Sequence, residues 1–376
     1  MEKRKIASLN AELSLLGFGM MRLPVLDGDP SKIDYPKAQA MVDRAYKAGV
    51  NYFDTGYPYH ERMSEVFIGE TLSKYPRDSY YLATKMPTWE NFKSEADMEQ
   101  IFNEQLKKCK TSYFDFYLAH SLDSDRIGIL RDWIYDFLCK KKNEGAIRRM
   151  GFSFHDHPDA LIEIVKNYQW DFAMIQLNYV DWKINDAKRL YEILTEYKLP
   201  IIIMEPIKGG TLSNKLNEKV LEIIKKANGA SSTASWALRF AASLPGVATI
   251  LSGMTEPEHV EDNLKTFEAI KPLSNEELKV LEEAAQVYRT SGIIPCTDCR
   301  YCIDDCPAGV NIPQILVRYN HHLINKIKVN FINQYRVLKK SEQAHNCTNC
   351  GKCVKLCPQH IDIPKYLKEI VDFLSS

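Results

Sequence analysis

Eight short runs of β-branched and aromatic residues recur between Ser14 and Gly253, each parted from the next by a longer helix-like stretch. No other feature constrains the fold as tightly. In order the runs are SLLGFGM (Ser14 to Met20), VNYFDTG (Val50 to Gly56), YYLATK (Tyr80 to Lys85), FDFYLAH (Phe114 to His120), RRMGFSF (Arg148 to Phe154), FAMIQLN (Phe172 to Asn178), PIIIMEP (Pro200 to Pro206) and VATILSG (Val247 to Gly253). Stretches between them, such as YPKAQAMVDRAYKAG and DALIEIVKNY, carry the apolar period of a surface helix. Eight strand–helix units over roughly 250 residues predict an α/β fold of the (β/α)8 TIM-barrel type. The segment KIASLNAEL ahead of the first run predicts a hairpin closing the barrel's bottom, and EPEHVEDNLKTFEAI and NEELKVLEEAAQVY predict helices leading out of it.

The second constraint lies near the C-terminus. Of ten cysteines, only Cys109 and Cys139 fall outside two tight runs, and both sit in helix-like segments where an idle thiol is expected. The runs are Cys296, Cys299, Cys302, Cys306 before Pro307 and Cys347, Cys350, Cys353, Cys357 before Pro358, each of the form C-x2-C-x2-C-x3-C-P. That spacing is the bacterial ferredoxin pattern for two [4Fe–4S] clusters, in which the fourth cysteine of each run serves the other run's cluster. One cluster then takes Cys296, Cys299, Cys302 and Cys357, and the other takes Cys347, Cys350, Cys353 and Cys306. Structural zinc is the competing metal, but zinc sites usually pair C-x2–4-C knuckles across a longer loop. A purely structural role for the clusters is the competing use. Between the runs the chain reads as helix without hairpin alternation, and GVNIPQIL and HIDIPKYL each open a helix with proline. This is similar to the all-helical dicluster ferredoxin domains of multi-subunit reductases. The expected division is a barrel over 1–275, a helical linker over 276–292 and a small, mainly helical dicluster iron–sulfur domain over 293–376.

Composition narrows the partners. Lys+Arg and Asp+Glu balance at 49 each, which leaves no basic field for nucleic acid or anionic lipid. The N-terminus lacks the apolar core of a secretory signal, and the most apolar stretch, LPIIIM, is too short to span a bilayer. A cytoplasmic protein without membrane or nucleic-acid partners is expected.

In such a barrel chemistry sits at the C-terminal strand ends. Polar residues at those positions are Asp54, Lys85, His120, Ser153, Gln176 and Ser252, with Tyr59 one tight loop beyond Asp54. DTG at Asp54 to Gly56 has no second copy, which argues against paired protease aspartates. No GxGxxG occurs, so a Rossmann site is not indicated. In FDTGYPYHE, YLATK, FDFYLAH, GAIRRMGFS, MIQLNY, MEPIKGG and SGMTEPEHVEDN, the chain from Lys5 to Phe267 resembles the aldo-keto reductase family. The resemblance implies a catalytic tetrad of Asp54, Tyr59, Lys85 and His120: Tyr59 as general acid, Lys85 and Asp54 tuning it, His120 orienting the carbonyl. It also implies NADP(H) or NAD(H) contacts from Gly19, Met20, Ser153, Gln176, Met204, Pro206, Lys208, Gly209, Ser252, Gly253, His259 and Asn263. The loops holding Lys208-Gly209-Gly210 and Ser252-Gly253 follow strands 7 and 8, where barrels often bind phosphate. Three positions depart from the family pattern. Phe154 follows Ser153 where Asn is common, Met204 replaces a stacking aromatic, and His259 replaces an Arg that meets the 2′-phosphate of NADPH. This alters the cofactor pocket and leaves room for a flavin.

The expected function is reduction of a small carbonyl compound with NAD(P)H, the clusters carrying electrons. The alternative is an electron-transfer or redox-sensing protein whose barrel binds a nucleotide or flavin without reducing a carbonyl. Nicotinamide moves electrons in pairs and each cluster carries one, so communication between the halves needs a converter such as a flavin. The cations His321, His322, Lys326, Lys328, Arg336, Lys339 and Lys340 nominate a face for a ferredoxin- or flavodoxin-like carrier, or a solvated surface. Physiological substrate and oligomeric state are open.

Overall fold

The computed structural model describes residues 1–183, 186–214, 216–228, 231–303 and 305–375. They divide into two compact units, one of Met1–Ile207 with Ser231–Leu278, the other of Lys208–Ala230 with Lys279–Ser376.

In the first unit β1 (Lys3–Ile6) and β2 (Ala11–Ser14) form the expected antiparallel hairpin, Lys3 opposite Ser14 and Ile6 opposite Ala11. Eight parallel strands follow: β3 (Leu16–Gly19), β4 (Tyr52–Asp54), β5 (Tyr81–Pro87), β6 (Phe116–Leu122), β7 (Met150–Phe154), β8 (Phe172–Gln176), β9 (Ile201–Met204) and β10 (Val247–Gly253). Each pairs with the next, and β10 pairs with both β9 and β3 to close the barrel. Every run read as a strand overlaps one, and β5 and β6 run two residues beyond theirs. Leu9, Ala11 and Leu13 of the hairpin join Phe116, Phe172 and Ile202 in one buried cluster, which plugs the barrel end away from the strand C-termini.

The outer helices form where local signals agree. In Tyr35–Lys47, Asp34 accepts from the Lys37 N–H, proline lies in the first turn, and Ala38, Met41, Val42 and Ala45 make the buried stripe. Helix Glu95–Lys108 starts from a capping box of Ser94 and Asp97. Gly69 of helix Ser64–Leu72 allows a close crossing, because a Cβ there would lie 2.1 Å from the Lys108 carbonyl oxygen.

The second unit is mainly helical, with no strand among its described residues. Helices Ile312–Asn325, Lys328–Arg336 and Ile363–Ser375 enclose a core that includes Ile315, Leu316, Phe331 and Ile370. Buried Asn320 bonds both backbone groups of Ile294, at 2.9 Å to its N–H and 2.7 Å to its carbonyl, and so fixes the entry to the first cysteine run. Helix Asn275–Thr290 contains the boundary between the units. Residues 208–230, read by sequence as part of the barrel, follow β9 and precede β10 in the chain, and they group by contacts with the compact unit that carries the cysteines. Among the described residues no helix is long and apolar enough to cross a membrane.

Candidate active site and cysteine pockets

Asp54 ends β4 and Lys85 lies in β5, so both side chains reach the same mouth of the barrel. Lys85 Nζ donates to Asp54 Oδ1 at 2.6 Å and to the Thr55 carbonyl at 2.5 Å, with the two side chains 1% and 4% exposed. Burial pushes the Asp54 carboxyl up from its ordinary value and the Lys85 ammonium pulls it back. The same ammonium lies 4.8 Å from the centroid of the Tyr59 ring, and that ring meets the His120 imidazole edge-on at 5.8 Å. All four tetrad residues therefore converge. His120, in β6, is buried, and burial first, then Lys85, His155 and Arg126, hold its pKa well below the ordinary value. It is a neutral imidazole at physiological pH.

The loop carrying Tyr59 is tightly specified. A Cβ on Gly56 would stand 3.0 Å from Tyr59 Cζ, tighter than an ordinary contact, so the ring folds back closely over its own loop. His60, Glu61 and Arg62 follow with φ of 52°, 52° and 69°, a left-handed run that costs about 1–2 kcal/mol per residue. The fixings are visible. His60 Nδ1 bonds the Pro30 carbonyl at 3.0 Å, its Nε2 accepts from the Leu23 N–H at 3.2 Å, and Arg62 stacks 4.3 Å from the Tyr57 ring centroid.

Behind Lys85 lies a buried polar layer that the sequence reading missed. Glu65 Oε1 accepts from Thr84 Oγ1 at 2.6 Å and Gln105 Nε2 at 2.7 Å; Gln105 Nε2 also donates to the Lys85 carbonyl at 3.0 Å, and Tyr117 donates to Gln105 Oε1 at 2.5 Å. Gln105 thus ties the backbone of Lys85 to Glu65 of helix Ser64–Leu72 and to Tyr117 of β6. The available signal was Gln105 itself, a polar residue within the buried stripe of Met98 and Phe102.

Of the nominated cofactor residues, ten lie in the barrel unit. Gly19 ends β3 and is followed by buried Met20. Ser153 Oγ accepts from the Ser121 N–H at 2.7 Å, and Ser252 Oγ accepts from Asn263 Nδ2 at 2.9 Å. Gln176 Nε2 donates to Asp181 Oδ2 at 2.7 Å, and Asn178, unmarked by sequence, donates to the same oxygen at 2.7 Å. Met204 ends β9 and precedes Glu205, whose φ is 54°, and buried Pro206. Gly253 accommodates Arg22, whose Cβ would lie 3.1 Å from a Cβ added there. His259 Nδ1 accepts from the N–H groups of Thr255 and Glu256, both at 3.3 Å, and so caps its own helix, Pro257–Glu268. Lys208 and Gly209 are assigned to the other compact unit. There Lys208 Nζ donates to Gln359 Oε1 at 2.8 Å.

The cysteines surround two pockets. Cys296, Cys299, Cys302 and Cys357 line one, and Cys306, Cys347, Cys350 and Cys353 line the other. Each pocket draws three thiols from one run and the fourth from the other. Burial, then repulsion from Cys299, Cys296 and Cys357, pushes the Cys302 thiol far up, and burial with Cys347, Cys306 and Cys350 pushes Cys353 up to about 11. Such thiols ionise only where a cationic centre compensates them. Each pocket has one buried thiol, Cys302 and Cys353, and in the second Cys350 is exposed.

Residues 15–286 match the model of the Aldo/keto reductase family. The chain belongs to that family. Residues 295–362 of this aldo/keto reductase match the 4Fe-4S dicluster domain. Among its relatives, the uncharacterized oxidoreductase YqkF of Bacillus subtilis is 24% identical over 313 residues, spanning 75% of this chain and 96% of its own. The NADH-specific methylglyoxal reductase of Escherichia coli is 23% identical over 329 residues, spanning 76% and 99%. The holo form of aldo-keto reductase AKR11C1 from Bacillus halodurans superposes with a TM-score of 0.64 at 25% identity, covering 76% of this chain and 96% of its own. The protein is thus an oxidoreductase of aldo/keto reductase type, a closed parallel barrel extended by a mainly helical iron–sulfur domain.

Proposed function

We propose that the barrel reduces a small carbonyl compound with NAD(P)H and that two [4Fe–4S] clusters occupy the thiol pockets. The observation that carries the first half is the buried Lys85–Asp54 pair beneath the Tyr59 ring. Bound NAD(P)H supplies a hydride to the carbonyl carbon. Tyr59 then protonates the developing alkoxide, giving an alcohol, and the Lys85 ammonium stabilises the phenolate left behind. Asp54 keeps Lys85 charged and aimed. A neutral His120 donates a hydrogen bond to the carbonyl oxygen without competing for the proton. Since the Escherichia coli relative is described as an NADH-specific methylglyoxal reductase, 2-oxoaldehydes with NADH are the first pair to assay.

The second half rests on the pockets' donor sets and on the dicluster match. Eight thiols in two groups of four fit two clusters with exchanged fourth ligands. On the same unit, exposed Lys326, Arg336, Lys339 and Lys340 alternate with Ile327, Val329 and Val337, exposed by 45%, 59% and 78%. Exposed cations interspersed along the chain with exposed apolar side chains suit an acidic one-electron carrier of the ferredoxin or flavodoxin class.

The test is Tyr59→Phe in anaerobically purified protein. Turnover of methylglyoxal with NADH is expected to fall by about 10²–10⁴-fold. Iron stays at about eight atoms per chain with unchanged absorbance. Full turnover in this variant would end the assignment of Tyr59.

A further inference from the structure

Lys208 is an ammonium held out of water beside the first cysteine pocket. It is 1% exposed and belongs to the same compact unit as the cysteines. Its Nζ donates to Gln359 Oε1 at 2.8 Å; Gln359 is 5% exposed and lines the pocket of Cys296, Cys299, Cys302 and Cys357. The field of Lys208 reaches Cys357, where it opposes the upward push of burial. The backbone there is unusual as well. Lys208, Gly209 and Gly210 have φ of 48°, 61° and 86°, so a lysine stands in a left-handed conformation that would suit a third glycine better.

A buried charge is retained where an opposite charge compensates it. We propose that Lys208 tunes the cluster in this pocket, making it the more easily reduced of the two. The inference rests on the reading that both pockets hold [4Fe–4S] clusters. One electron from an external one-electron donor adds one negative charge to the pocket, with no bond made or broken and no proton required. The Lys208 ammonium stabilises that added charge at short range in a weakly screening interior. Other cations lining the pockets, Arg300 at the first and Lys352 at the second, are solvent-exposed, and water and salt screen them. Lys208 is therefore a positioning residue for charge, and electrons collect at its pocket.

The experiment is an anaerobic potentiometric titration of the full chain, followed by electron paramagnetic resonance, with Cys357→Ser identifying which signal belongs to the Lys208 pocket. In Lys208→Met that cluster's reduction is expected to become about tenfold less favourable, a midpoint lower by about 59 mV, with the other midpoint unmoved. Lys208→Arg keeps the charge and should keep the midpoint. Iron content and absorbance report cluster assembly separately. Wild-type protein without two clusters would refute the underlying reading before any variant is made. Unmoved midpoints in an iron-replete Lys208→Met protein, or equal shifts of both, would overturn the role of Lys208. If that variant loses iron, Lys208→Gln, which keeps an N–H for Gln359, carries the same expectation and the same refutation.

Discussion

Replacing Asp54 with alanine strips the buried Lys85 ammonium of its carboxylate and leaves it the Thr55 carbonyl as acceptor. At 2.6 Å and an effective dielectric of about 20, the attraction removed is about 6 kcal/mol. The residual hydrogen bond and local relaxation offset part of it, and breaking one side of a buried pair typically costs about 3–5 kcal/mol. That is a large share of an ordinary domain's 5–15 kcal/mol. The readout is urea unfolding of the full chain followed by tryptophan fluorescence, because all five tryptophans, at 89, 133, 170, 182 and 236, lie in the barrel unit. The double variant Asp54→Ala/Lys85→Met carries neither charge and should regain most of the loss, to within about 1–2 kcal/mol of wild type. A single-variant cost below about 1 kcal/mol, or a double variant costing the sum of the two singles, would refute the pair as an isolated buried couple.

The cysteine pockets predict a crossed pattern. Cys306→Ser should deplete the cluster of the Cys347, Cys350 and Cys353 pocket, although Cys306 belongs to the first run, and Cys357→Ser should deplete the other; spectra showing each serine affecting its own run's cluster would reverse the ligand exchange. His120 gives a pH signature. Its folded pKa is depressed, so between the unfolded value of about 6.5 and the lower folded value the unfolded chain binds the extra proton and stability falls as pH falls. From pH 6.5 to 5.5 wild type should lose up to about 1 kcal/mol more than His120→Gln, and parallel pH curves for the two proteins would contradict a buried neutral imidazole.

What sequence makes legible here is what depends on local pattern. The run VATILSG is β10 residue for residue, and Asp54 and His120 stand out as polar groups at or near the ends of apolar strands. That Cys306 and Cys357 each line the pocket of the other run was expected from spacing, because a shared spacing rule fixes which thiol crosses over. Gln105 was illegible because its partners Glu65, Thr84 and Tyr117 come from three other elements that only the closed barrel brings together. His259 sits where a capping box prefers Glu or Gln, so its bonds to the Thr255 and Glu256 N–H groups carry no familiar signature. Lys208 beside two glycines reads as an anion-binding loop; its buried acceptor, Gln359, comes 151 residues later and no local rule links them.

That the second unit is assembled from Lys208–Ala230 and Lys279–Ser376 has a consequence for how the protein is made. During translation the earlier segment leaves the ribosome before any of the eight clustered cysteines exists. Its buried Val220 and Ile224 must wait, chaperoned or transiently exposed, until the C-terminal helices have been synthesised. The proposed clusters can form only after the second cysteine run has been synthesised, and nascent chains stalled before Lys279 should be the species that holdase chaperones retain.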